Sequence, residues 1–464
     1  YRFGFFIFFK FYIYIYYIML DKINSLSKDD LIQVGKKYKI LGHLSNFTNP
    51  YLSEDDLRLA IIKKIEEENP LESGKMEKKR RSKRQRSKKM NCSKRLSKKQ
   101  QDYGYDLNFK IGKPKSYYKL PDGAKIIAIG DIHGDLAVTI KSLKLAGVIP
   151  MDTPHYFENI EDCENIEWIG GNTHVVQVGD QIDRCRPNSW YRDICNDTDT
   201  YKDEGSNLKI MELLDRLDVK AKFQNGAVIS ILGNHEIMNC VGDFRYVSPK
   251  EFEEFGRFFK VRKTNSSNRV FPYGYKERKQ SFSPGGMIAK KFASNRKSIV
   301  QVGNWVFVHG GITPKLSNEY SLDEMNEGMS RWLLGRRDRK TKDIFEALYD
   351  DDEHGIFWTR EFGDLGNWSD DRSTQLFNRT LDGINKKNDR DMEGLCEGIV
   401  MGHTPQYMNG LGINSSCNDK LWRVDVGASK AFGPFAKCDE ENMYRKCSVL
   451  LIEPDNSCKV VKEK

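Results

Sequence analysis

None of the ten cysteines of this 464-residue chain forms a C-x-x-C pair, so zinc ribbons and thioredoxin-type redox motifs have no support. No internal repeat of 20–50 residues is visible. No small-residue cleavage site follows the first 20 residues, and Arg2 and Lys10 interrupt them. That segment therefore does not read as a secretory leader, and a membrane association is not expected. It is aromatic rather than aliphatic, with 11 Phe or Tyr, and the first methionine is Met19. Residues 1–20 are an aromatic N-terminal extension, of which 1–18 read as translated upstream sequence with Met19 the start; an uncleaved membrane anchor is the other reading. Without a leader, the cysteines are expected to be mostly reduced thiols. The protein is expected to be intracellular, cytoplasmic or nuclear, and not secreted.

Acidic residues are almost missing from one stretch. Residues 75–100 hold 14 Lys or Arg and a single acid, Glu77, a local charge of +13. The whole chain is only +9, so the remainder sums to −4. A uniformly basic protein is excluded; the chain is a slightly acidic body with a cationic spacer. Residues 70–115 are Lys/Arg/Ser-rich without hydrophobic periodicity and read as a disordered basic linker. Its charge density suits nucleic acid or another polyanion through residues 75–100; a merely solvated linker is the plainer reading. Residues 21–69 read as a small helical module. Ser27–Asp30 and Ser53–Asp56 are S-x-x-D caps, each followed by an apolar pattern. Two helices around an extended segment weakly resemble the SAP-like nucleic-acid-binding modules; a docking helix pair is the alternative.

From residue 116 to 464 the texture is α/β. Apolar runs at Lys125–Gly130, His174–Val178, Ala227–Leu232, Ile299–Val302, Trp305–Val308, Gly398–Met401, Leu421–Val426 and Ser448–Ile452 read as strands. Asp135–Gly147 and Asn207–Leu217 read as helices. Five polar clusters follow apolar runs: Gly130–Gly134 (GDIHG), Gly179–Arg184 (GDQIDR), Gly233–Glu236 (GNHE), His309–Gly311 (HGG) and Gly402–Pro405 (GHTP). Four of the chain's eight histidines lie in them. Ligand sites of open α/β sheets sit at the carboxyl ends of strands, so the clusters are expected to converge on one rim. Imidazole, carboxylate and side-chain amide oxygen suit a two-metal hydrolytic centre, in which one Asp bridges both ions.

Order and content of these clusters resemble the calcineurin-like metallophosphoesterases, in their phosphoprotein phosphatase branch. GNHEIMN at Gly233–Asn239, FWTR at Phe357–Arg360 and LWRVDVGASKAF at Leu421–Phe432 are most similar to the Shewanella-like protein phosphatases. The resemblance implies a metallophosphatase-type β-sandwich flanked by helices over residues 116–464. It implies two divalent or transition metal ions (Mn, Fe or Zn), with Asp131, His133 and Asp180 on the first and Asn234, His309 and His403 on the second, Asp180 bridging. It makes His235 the general acid oriented by Asp183. Phosphate binding falls to Arg184 and Asn234, with Arg360 the candidate second arginine. A metal-bridging hydroxide would attack phosphorus in line, with no phosphoenzyme. The expected activity is phosphomonoester hydrolysis, on phosphorylated protein in the first place. A nucleotide or dinucleoside polyphosphate hydrolase, a phosphodiesterase, and a nucleic-acid tether with an incidental phosphatase domain are the alternatives.

Two departures stand out. Cys185 replaces the glycine that commonly follows the Asp-Arg pair, and reads as tolerated packing or an oxidation-sensitive thiol. Asp425–Ser429 replaces the Ser-Ala-Pro-Asn-Tyr loop of eukaryotic members. Met151–Gly171 and Cys195–Ser206 read as surface insertions. The acidic run Asp350–His354 reads as a solvated loop rather than another metal site.

Overall fold

Two β-sheets are built so that three parallel strands of each end on the same side of the molecule. A computed structural model describes residues 116–187, 195, 200–263, 271–351, 353–364, 370–388, 394–433 and 441–463, all within one compact unit. The helical module expected at 21–69 and the basic linker at 70–115 lie outside the described residues.

The strands are β1 (Tyr117–Tyr118), β2 (Ile126–Ile129), β3 (His174–Gln177), β4 (Ala227–Ser230), β5 (Ile299–Val302), β6 (Trp305–Val308), β7 (Gly398–Met401), β8 (Asn414–Ser416), β9 (Leu421–Arg423), β10 (Ser448–Ile452) and β11 (Cys458–Lys462). The helices that matter below are α1 (Leu136–Leu145), α2 (Asn207–Lys222), α3 (Asn234–Val241), α4 (Pro249–Phe258), α5 (Tyr275–Phe282), α6 (Met287–Asn295), α7 (Pro314–Glu319), α8 (Leu322–Leu333), α9 (Arg339–Phe345) and α10 (Asp370–Asn388). One sheet runs β1-β5-β6-β7-β9-β8, the other β11-β10-β2-β3-β4. In the second, β2, β3 and β4 are parallel, in register Ile126↔His174 and His174↔Ala227. In the first, β6, β7 and β9 are parallel.

The alternation along β2 explains its continuous apolar run. Ile126 and Ala128 join the core between the sheets with Val176, Ile229, Phe307, Val400 and Leu450. Ile127 and Ile129 face the other way, against Leu136 and Ile140 of α1 and Ile210 and Leu214 of α2. A strand covered on both faces has no polar side, so it reads as a run rather than an alternation. Asp135 caps α1, its carboxylate accepting from the Val138 N–H at 3.2 Å. The 151–171 insertion is more than surface: Met151 is exposed, but Cys163, Ile166 and Trp168 are buried in the outer core. No helix among the described residues is long and apolar enough to cross a membrane.

Candidate active site

The loops leaving β2, β3, β4, β6 and β7 bring Asp131, His133, Asp180, Asn234, His309 and His403 together, all buried. Four site residues hold left-handed backbone: His133 (φ 47°), Asp180 (φ 51°), Asp183 (φ 72°) and His403 (φ 66°). For a non-glycine residue this is costly, about 1–3 kcal/mol each, and such strain persists where surrounding structure fixes it. Two glycines are required by close approach. A Cβ on Gly233 would strike the Asp180 carboxylate, and one on Gly402 would strike that of Asp131.

Two sets of ligand atoms result, His133–Asp180–His235 and Asp180–His309–His403, each within 4.8 Å of one another. Asp180 belongs to both. His133 Nε2 lies 3.9 Å from both Asp131 Oδ2 and Asp180 Oδ2, and His309 Nε2 lies 3.4 Å from Asp180 Oδ2. Asp131 lies beside the first set and accepts the His403 N–H at 3.1 Å. None of the described residues of the acidic run at 350–354 is in either set; Asp351 instead pairs with Lys315 and His354 at 3.1 Å each.

The donor chemistry fits a cation. His309 Nδ1 lies 2.8 Å from the Val178 carbonyl, so it carries the hydrogen. Its Nε2 then faces the Asn234 amide oxygen at 2.8 Å. With neutral His309 and this amide orientation these are two acceptors in contact, an arrangement that a positive charge beside them relieves. Without metal a proton fills that role. Burial disfavours charge on His309, but Asp180 outweighs it and raises the imidazole's pKa. Burial likewise pushes Asp180 up, but His309, His235 and His133 hold it well below the usual carboxylate range. Asp131 is pushed well up by burial and by the negative charges of Asp425 and Asp180. His133 and His403 are held neutral by burial, then by Arg186 and Arg360 respectively. One carboxylate common to both sets, crowded acids and two neutral imidazoles make a ligand set suited to divalent charge.

His235 and Asp183 stand beside this centre. His235 Nδ1 meets Asp183 Oδ2 at 2.9 Å, which leaves Nε2 on the side of Asp180, 3.8 Å from its carboxylate. Asp183 is itself held by Asn239 at 2.9 Å and by Arg278 of α5 at 3.1 Å. Arg278 is fully buried among Phe252, Phe255 and Phe282 and also binds Asn239 and Asn207. The sequence reading missed Arg278, because a contact 95 residues away leaves no local pattern.

Glu236 was also missed, although it stands inside the GNHE cluster. Its carboxylate accepts the N–H groups of Gly233, Asp180 and Gln181 at 2.7, 2.9 and 2.8 Å. It thus ties the β3 and β4 loops together. Burial, then repulsion from Asp180, raises its pKa to about 7. Glu236→Gln places an NH₂ group against backbone donors, and an unsatisfied buried group costs about 1–3 kcal/mol. The expected result is a lower Tm and lower turnover together, measured by calorimetry and by aryl phosphate hydrolysis.

The structure places Arg184, the expected phosphate-binding arginine, in the interior. Its guanidinium is fully buried and donates to the carbonyls of Gly134, Tyr201 and Lys202. It lies 3.4 Å from Asp135 and 3.6 Å from Glu204, while its backbone N–H is held by Glu251 at 3.0 Å. Asp135, the partly exposed Glu204 and three backbone carbonyls hold this guanidinium in the interior. Arg186 is the arginine beside the centre. It lies 4.6 Å over Phe432 and 5.5 Å over Tyr246, whose rings abut His133 and His235 respectively. Both Arg186 and Arg360 act on Tyr246 electrostatically, and Arg360 donates to the His403 carbonyl at 3.3 Å. Cys185, between the two arginines, is bonded to Cys195, so it is neither free nor simple packing. Six other described cysteines are free thiols.

A carboxylate shared by two candidate metal sets at parallel strand ends, with a His–Asp pair alongside, suits a hydrolytic metal centre. The family model for calcineurin-like phosphoesterases matches residues 124–426. Shewanella-like protein phosphatase 2 of Arabidopsis thaliana is 30% identical over 332 residues, 66% of this chain and 72% of that protein. Shewanella-like protein phosphatase 1 of Plasmodium berghei is 29% identical over 370 residues, 76% of this chain and 83% of that protein. A solved cold-active protein tyrosine phosphatase covers 75% of this chain and 82% of its own at 18% identity, with a TM-score of 0.47. The chain belongs to the calcineurin-like phosphoesterases and, within them, to the Shewanella-like protein phosphatases. It is a metal-dependent hydrolase of phosphate esters.

Proposed function

We propose that the substrate is a phosphorylated protein side chain and that two ions of Mn, Fe or Zn occupy the two ligand sets. The observation that carries this reading is the pair of arginines, Arg186 and Arg360, flanking a centre that shares Asp180. A phosphomonoester presents three non-bridging oxygens and a double negative charge, enough for metals and two guanidinium groups together. A diester has two such oxygens and one charge, and would leave an arginine unpaired. The relatives' names, which say protein phosphatase, point the same way.

In this reading Asp131, His133 and Asp180 hold one ion, and Asp180, Asn234, His309 and His403 the other. When bound, the ions supply positive charge to the phosphate oxygens and lower the pKa of a water for in-line attack. The chain's own groups do the rest. Asp183 holds the His235 imidazole by Nδ1, so that Nε2 presents a proton to the leaving oxygen. Arg278 and Asn239 fix Asp183 in turn. Arg186 and Arg360 orient the phosphoryl group, assisted by the Asn234 amide, and Phe432 and Tyr246 limit the directions Arg186 can take.

Chelation should abolish turnover, and Mn²⁺ or a similar ion should restore it. In the restored enzyme, kcat/KM on phosphoserine, phosphothreonine or phosphotyrosine peptides should exceed that on dinucleoside tetraphosphate and on a phosphodiester. A preference for either of the latter would reject a protein substrate. Full activity in metal-free protein would reject the dinuclear centre.

A further inference from the structure

Asp425 is a buried carboxylate beside the centre, and neither the ligand assignment nor the comparisons give it a role. It opens the loop that follows β9, where Asp425–Ser429 replaces the loop of eukaryotic members. It is only 1% exposed. Its Oδ1 accepts the Gly427 N–H at 2.8 Å. Its Oδ2, also buried, has no hydrogen-bond partner among the described residues. Leaving a buried carboxylate oxygen unpaired costs at least about 1–3 kcal/mol, and buried charges are ordinarily paired or set against a metal ion.

The loop is built against the residues assigned to the first ion. A Cβ on Gly130 would strike the Val424 carbonyl and lie 3.1 Å from Asp425 Cα. Gly130 is bonded to Asp131 and consecutive Cα atoms are about 3.8 Å apart, so the Cα atoms of Asp131 and Asp425 lie within about 9 Å. The Asp425 carbonyl accepts the Gln406 N–H at 2.9 Å, which joins it to the loop of His403. Four residues on, the Ser429 hydroxyl donates to the His133 carbonyl at 3.3 Å, and the Phe432 ring abuts that of His133 at 5.4 Å. Arg445 fixes the turn between, donating to the Gly427 and Ser429 carbonyls at 2.9 Å each. The loop therefore packs along the Gly130–His133 segment, which carries two of the expected ligands. After burial, Asp425 is the strongest influence raising Asp131, ahead of Asp180. Asp425 in turn interacts electrostatically with Asp180, His309 and Arg186. Three carboxylates repel one another here, and a divalent ion among them turns repulsion into attraction.

We propose that Asp425 is a positioning residue of the metal centre, its unpartnered oxygen accepting a hydrogen bond from water on the ion assigned to Asp131, His133 and Asp180. The proposal rests on the dinuclear reading above and adds a residue to it. Groups that orient a metal's ligands are typically worth about 10–100-fold in metal affinity. The effect should be selective for one ion, whereas Asp180 is common to both sets.

The test uses the full chain, stripped by chelation and titrated with Mn²⁺, with ions per chain counted by elemental analysis after dialysis. Wild-type protein should hold two ions. Asp425→Asn, whose amide oxygen can keep the Gly427 bond, should hold one as tightly as wild type and the other about 10–100-fold more weakly. At limiting Mn²⁺ its electron paramagnetic resonance should show isolated ions in place of a spin-coupled pair. Its 4-nitrophenyl phosphate turnover should return as Mn²⁺ is raised. Metal-free Tm should be unchanged or higher, since one repelling carboxylate is gone, while the Tm gain on adding Mn²⁺ should shrink. Asp425→Ser, smaller and uncharged, carries the same expectation should the amide disturb the loop. Two ions bound as tightly in both variants as in wild type, or a lower metal-free Tm with unchanged Mn²⁺ affinity, overturns the role of Asp425 and leaves the dinuclear reading standing. A wild-type chain that binds fewer than two ions overturns both.

Discussion

Asp180→Asn should abolish turnover, by at least about 10³-fold, while the protein stays folded. Asp180 alone belongs to both metal-capable sets, so no other single change removes charge from both. The amide is isosteric and its oxygen can still accept the His235 N–H, which Asp180 Oδ1 binds at 3.0 Å. The backbone tie from Asp180 N–H to Glu236 is untouched. Metal content per chain should fall with activity, measured by elemental analysis, while circular dichroism stays native. His235→Asn gives the informative contrast. It removes the proton donor, worth about 10²–10⁴-fold, but none of the expected ligands. Turnover should therefore collapse with metal content unchanged. Wild-type-like activity in either variant would refute the assignment. Loss of both ions in His235→Asn would make His235 a ligand instead.

The second large effect separates two arginines that are one residue apart in the sequence. Arg186→Ala should reduce kcat/KM about 10²–10³-fold, the usual loss when one preorganised donor to transition-state charge is removed. It should also weaken inhibition by inorganic phosphate, and leave Tm nearly unchanged because Arg186 is only half-buried. Arg184→Met should do the opposite. It removes one of the two cations, the other being Lys430, that pair with the buried Asp135 and the partly exposed Glu204, and breaking a buried pair costs up to about 3–5 kcal/mol. Tm should drop steeply, and whatever protein remains folded should bind phosphate normally. Arg184→Lys, which keeps the charge, provides a soluble comparison if the methionine variant does not fold. A phosphate-binding defect in the Arg184 variants without loss of stability would return the role to Arg184.

Much of the fold was legible because it is written locally. Ile299–Val302, Trp305–Val308, Gly398–Met401 and Ser448–Ile452 form strands with the expected bounds, since both faces of each are covered and the apolar run ends where burial ends. β1, β8 and β11 escaped notice for the same reason inverted. β1 has two residues, β8 is only half-buried, and β11 carries Lys459 and Lys462 along an edge. α2 runs to Lys222, beyond the expected Leu217, because Ala221 still faces the outer core after charged residues intervene. Cys185 and Cys195 lie ten residues apart with no C-x-x-C signature, yet they are bonded to each other.

The sequence by itself determined the ligand chemistry. Asp131, His133, Asp180, Asn234, His309 and His403 follow apolar runs whose glycines permit tight exits, and parallel strands necessarily deliver their ends to one rim. Only the tertiary structure decided which neighbouring side chains serve that rim. Arg184 and Arg186 have the same chemistry and are separated by one residue. A left-handed turn at Asp183 and buried carboxylates from distant elements draw Arg184 inward and leave Arg186 outside. The hold of Arg278 on Asp183, and of Glu236 on two loops, likewise depends on where separate segments meet. Periodicity records what a residue faces on its own element. It carries no record of which charge, many residues away, will be there to meet it.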